Sequence, residues 1–160
     1  MNSNYPVGSE KATQFFNNAA RHVVYLEGGG AGVLGSVNYE YVFAQHENIR
    51  FSGRAGVGLA PFETSRISAV SLPIGIIGMI GKRNHHIEMG WVHTTIFDES
   101  GIDLIGVLST GYRFQRPQGG LFVRVAYTPY FANYSLKRFG HWAGISVGYA
   151  FMQKKQQQVD

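Results

Sequence analysis

From Arg21 to Phe151 the chain alternates in chemistry at every second residue, in runs of nine to fourteen residues parted by turn formers. Period two is the repeat of a β-strand, whose side chains point to opposite faces in turn. Eight runs follow this rule: Arg21–Gly29, Val33–Phe43, Ile49–Ala60, Ser68–Gly81, His85–Thr95, Asp103–Phe114, Gly119–Phe131 and His141–Phe151. None carries a sustained helical period. The alternation predicts an all-β chain, and 160 residues predict one domain. Each run is close to the roughly 9–11 residues with which a tilted strand crosses a bilayer.

The two faces separate strand by strand. In the last run Phe151, Tyr149, Val147, Ile145 and Ala143 share one face, and Ala150, Gly148, Ser146, Gly144 and Trp142 share the other. In the seventh, Leu121, Val123, Val125, Tyr127, Pro129 and Phe131 oppose Phe122, Arg124, Ala126, Thr128 and Tyr130. Phe51, Ala55, Val57 and Leu59 oppose Ser52, Arg54, Gly56 and Gly58, and Val37, Tyr39, Tyr41 and Phe43 oppose Ser36, Asn38 and Glu40. The fourth run blurs, because Ile76 and Ile77 are adjacent.

A soluble barrel turns its large apolar face inward. The surface left here would be Gly, Ala and Ser with few charges, although charged groups normally cover a soluble protein. Only 15% of the chain is charged, and 21 residues are glycine. Inverted, the pattern fits a membrane barrel, with branched and aromatic residues toward lipid and small or polar ones inside. The expectation is an eight-stranded antiparallel up-and-down transmembrane β-barrel over residues 21–151. A polar segment, 1–20, precedes it and a polar tail, 152–160, follows. Residues 11–21 are expected to form a short helix. An even strand number puts both chain ends on the side of the short connections 82–84 and 115–118.

Inward positions collect Glu27, Glu40, Arg54, Glu88, Arg113 and Arg124, three acids against three bases. Charges in a dry interior must pair or cost several kcal/mol each, and eight strands enclose a space just wide enough for side chains to fill. A charge network closing the lumen is therefore expected. Tyr39, Tyr41, Phe43, Tyr112, Phe114, Tyr149 and Phe151 lie near strand ends on the other face, which predicts an aromatic girdle at one interface.

Other chemistry is weakly marked. The net charge is +4, but the basic pairs 82–83, 137–138 and 154–155 are far apart and form no nucleic-acid stripe. There is no cysteine, and adjacent His85 and His86 point to opposite faces, so no metal site or cofactor is expected. His22, His46 and His141 sit at strand ends. His93 faces outward with Thr95, and Thr110 is outward on the next strand, but no carboxylate completes a hydrolase constellation. Gly28-Gly29-Gly30-Ala31-Gly32 lacks the phosphate-loop form and reads as a tight turn with small interior contacts. The connections 96–102 and 131–141 are expected to be outward loops with apolar tips.

The terminal Gly148-Tyr149-Ala150-Phe151 resembles the closing β-signal of outer-membrane barrels. The stretches 24–29, 36–40, 54–58, 72–75 and 127–131 resemble small Bacteroidota-type outer-membrane proteins. That resemblance implies a barrel of the OmpA-transmembrane or OmpX kind in the outer membrane of a Gram-negative cell. It implies a removed signal peptide, consistent with a start at Met1-Asn2-Ser3 that has neither a basic nor an apolar leader region. The expected role is structural, or that of an accessory subunit in a larger outer-membrane complex. The expected partners are outer-membrane lipid and lipopolysaccharide. Two alternatives stay open: a soluble lipocalin-like ligand-binding barrel and a lipid A-modifying enzyme.

Overall fold

The computed structural model describes residues 19–62, 66–98, 101–132 and 138–152. Residues 11–18 of the helix expected at 11–21, and the tail beyond Met152, lie outside the described residues, and 19–21 are not helical. Ten strands run in chain order: β1 His22–Gly29, β2 Gly35–His46, β3 Ile49–Phe62, β4 Arg66–Lys82, β5 His85–Asp98, β6 Gly101–Gln115, β7 Gly120–Tyr127, β8 Tyr130–Ala132, β9 Arg138–Gly140 and β10 Ala143–Phe151. A three-residue 3₁₀ turn, Gly30–Gly32, joins β1 to β2.

These strands make eight staves. β8 continues β7, because both pair with β6 in one unbroken register, from Gln115↔Phe122 to Ile105↔Ala132. β9 continues β10 in the same way against β7 and β8. The ladder bridges both breaks: Thr128 N–H donates to Trp142 O at 2.8 Å, and Leu108 N–H donates to Pro129 O at 3.0 Å. All pairs are antiparallel. β1 pairs with both β2 and β10, and β5 pairs with β6, so the sheet closes into a barrel. One end carries the tight β2–β3, β4–β5 and β6–β7 turns, and Phe151 ends there. We call it the turn end and its opposite the loop end.

Several strands outrun their sequence patterns at the loop end. The expected loop at 96–102 is mostly strand, since Phe97↔Ile102 and Asp98↔Gly101 still pair. Backbone pairing satisfies polar groups that turn-forming residues would otherwise leave to water. Pro61 enters β3 at a register shift beside Ala60, where the missing N–H is tolerated. The adjacent Ile76 and Ile77 obey the pleat after all: Ile76 is exposed and Ile77 fully buried.

The barrel is inside-out by soluble standards. Leu26, Val37, Val57, Ile74, Ile87, Val125, Val147 and Tyr149 are exposed, whereas Glu27, Glu40, Arg54, Glu88, Arg113 and Arg124 are buried. At the turn end Ala20 tucks inside against Val23, Tyr25, Phe122 and Ala150, with its N–H donating to Pro117 O at 2.7 Å.

Candidate functional site

The six inward charges come from six staves and form one chain of alternating sign. Arg54 on β3 meets Glu27 on β1 through two hydrogen bonds, 3.1 and 3.2 Å. Glu27 also bonds Arg124 on β7. Arg124 pairs with Glu88 on β5 at 3.5 Å, and Glu88 with Arg113 on β6 at 3.7 Å. Arg113 ends the chain on Glu40 of β2 at 2.8 Å. Each interior charge of the chain therefore has an opposite charge on either side, the arrangement in which burial costs least.

Neutral groups complete the layer. Asn38 Oδ1 accepts from Arg54 at 2.7 Å, and Ser146 Oγ accepts from Arg124 at 3.1 Å. Tyr25 lies with its ring 4.9 Å from the Arg124 guanidinium carbon, and Phe122 lies 4.6 Å from that of Arg113. These are cation–π distances in a desolvated setting. Two further inward groups were not picked out in the sequence, Arg50 and His86, both buried near the turn end. Arg50 follows the pleat of Ser52 and Arg54, so its parity was readable, and it tips the six-residue balance by one positive charge. His86 is the inward member of the His85-His86 pair. Among the described residues no group of three or more metal-ligating side chains converges.

The glycine-rich turn folds into the barrel and touches the charge layer. Gly32 N–H donates to Glu27 Oε1 at 3.1 Å. Ser71 Oγ–H donates to Gly32 O at 3.0 Å, and Thr94 Oγ1–H donates to Ala31 O at 2.8 Å. Gly30 has φ +67°, and a β-carbon there would stand 2.8 Å from the Glu27 carboxyl carbon. Only glycine meets both demands. Beyond the turn, toward the loop end, lies a cavity of about 330 Å³. Gly30 and Ala31 form its floor, and no charged residue lines it.

On the outer face the seven aromatics proposed as a girdle stand where β2, β6 and β10 approach the turn end. All are exposed except Phe114, which is half-buried. His22 joins them, its Nδ1 sharing a 2.6 Å hydrogen bond with Tyr39 Oη and its ring stacked 5.3 Å from Phe151. His85 pairs likewise with Tyr112. A second aromatic group sits at the loop end: Tyr127 bonds His141, and Phe139 packs against both His141 and Phe131. The sequence alternation placed Tyr127 and Phe131 outward. The grouping appears only once the register brings β7 to β10 together.

His93 is also exposed, but its cross-strand neighbours are Ile74 and Gly106. Thr110 pairs with Met89, four residues along β5, or about 13 Å at the strand rise. His93 and Thr110 of the hydrolase reading are thus held apart, and Thr95 stands two residues from His93 on its own strand, about 7 Å along it. No protein-family model, curated protein or solved structure matches the chain. The fold and these clusters carry the functional reading by themselves.

Proposed function

We propose that this protein is an integral outer-membrane β-barrel whose lumen is closed by its charge layer. It serves as a structural protein or as an accessory subunit of a larger outer-membrane complex. The observation that carries this reading is the inversion of the two faces. Large apolar side chains are exposed around the outside, and seven strand charges are buried within. A chain that kept such a surface in water would expose a contiguous apolar area far above the few hundred Å² usual for soluble monomers.

The height of the apolar band supports it. His141 and Phe151 are outward groups of the two aromatic clusters, ten residues apart on one stave. That is about 33 Å along a strand at about 3.3 Å per residue. At a tilt of about 40° it becomes about 25 Å, the height of the apolar band of outer-membrane barrels. Tyrosine and histidine at both edges place amphipathic rings where headgroups would lie. Outer-membrane lipid and lipopolysaccharide are the partners of that surface.

The test is heat-modifiable mobility. Folded in detergent, the protein is expected to migrate differently on SDS gels boiled and unboiled, and to sediment from detergent-free buffer. Full solubility without detergent, with no mobility shift, would favour the soluble ligand-binding barrel instead.

A further inference from the structure

We infer that the loop-end cavity is a binding site for an unbranched aliphatic chain bearing one polar end group, entering through a notch in the barrel wall. The chain-binding claim stands on the cavity. The claim that the chain comes from the surrounding lipid rests on the membrane reading above.

The notch follows from the register. β2 begins at Gly35, opposite Leu59, so β3 from Ala60 onward pairs with β4 but not with β2. β9 pairs with β8 alone. Between these two edges the wall would need the tops of β1 and β2. Those residues instead turn inward as Gly30–Gly32. The side chain of Trp142 spans the gap, its Nε1–H donating to Val33 O at 3.2 Å. Trp142 is 43% exposed although the pleat assigns it to the inner face. It lines the cavity and also borders a shallow outer depression with Tyr127, His141 and Ala143. It stands where inside and outside meet.

The lining selects the ligand. Ala60, Ile96, Ile105 and Val107 give apolar walls, and a charged ligand would find no counter-ion. The volume of about 330 Å³ is at the small end of ligand pockets, which favours a chain over a ring system. One lining group is polar, buried and without a partner. Thr128 lines the cavity, is 2% exposed, and its Oγ1 has no hydrogen-bond partner among the described residues. A hydroxyl at the end of the chain would satisfy it without bringing a charge into the cavity.

The two tryptophans make the test, because Trp91 faces outward and Trp142 lines the cavity. The whole chain is folded in a bile-salt detergent, whose rigid body does not mimic a linear chain. The Trp91→Phe protein is titrated with a medium-chain fatty alcohol brominated along its chain. Saturable quenching of Trp142 is expected. Ala60→Leu and Val107→Phe, each filling the cavity from a different wall, should abolish it, with the mobility shift confirming their fold. Thr128→Val should weaken it roughly five-fold, the worth of one hydrogen bond. Absence of saturable quenching, or quenching unchanged in whichever filling variants fold, overturns the inference.

A second arm uses vesicles of phosphatidylcholine brominated on its acyl chains. Quenching of Trp142 that the filling variants reduce assigns a membrane lipid as the source, and quenching by the free alcohol alone assigns a free chain and overturns lateral entry. The Trp142→Phe protein reads the membrane proposal separately. If its Trp91 is not quenched in these vesicles, the membrane reading fails while the fatty-alcohol result still stands or falls by itself.

Discussion

Glu27 holds two arginines, and Glu40 holds one. That difference sets the cost of removing each. Glu27→Gln leaves Arg54 with no anion and only Asn38, and takes one of two anions from Arg124, which keeps Glu88. Breaking a buried pair this way typically costs about 3–5 kcal/mol. Glu40→Gln sits at the end of the charge chain, and Arg113 keeps Glu88. Its cost should be smaller. Equilibrium urea unfolding in lipid vesicles measures both. A Glu40→Gln variant less stable than Glu27→Gln would show that the charges do not act as one connected chain. All six members were legible in the sequence from strand parity alone. Their order along the chain was not, because it depends on which staves face each other across the lumen.

The inward turn shows what alternation cannot say about an element. The run of glycines between β1 and β2 announces a tight turn, but nothing local states that it points into the barrel rather than away. That direction is fixed by Ser71 and Thr94, partners far along the chain, together with Glu27 on the strand that leads into the turn. Gly30→Ala tests the packing of this element. It places a β-carbon against the Glu27 carboxyl in a left-handed conformation, and should destabilise by about 1–3 kcal/mol. It should also speed hydrogen exchange at the Gly32 amide. Gly53→Ala is the control, because its β-carbon would meet nothing within 4 Å. It should stay within about 0.5 kcal/mol of the parent. Equal losses in the two variants would mean that the fit of the inward turn is not what is being measured. The strands run past their alternating patterns for a related reason. Asp98 and Gly101 look like turn residues, yet cross-strand pairing carries the ladder through them.

For the whole molecule, the question is whether anything passes through the barrel. Eight staves enclose little more than the side chains that fill them. Here the fill is layered: Ala20 and its apolar neighbours at the turn end, then the charge chain, then the inward turn, then the apolar cavity. An ion would have to displace a paired guanidinium and cross an uncharged cavity, and both steps are costly in a low-dielectric interior. The monomer in a planar bilayer is therefore expected to show no steady conductance. Shortening Arg54 and Arg124 together to alanine removes two side chains from the filled layer and strips Glu27 of its ion-pair partners. That variant, if it retains the mobility shift, should conduct measurably and favour cations. Steady nanosiemens-scale current from the unaltered monomer would refute a closed lumen. A silent double variant that is still folded would place the barrier elsewhere, at the inward turn or the apolar cavity, and Gly30→Ala added to it would then be expected to open the path.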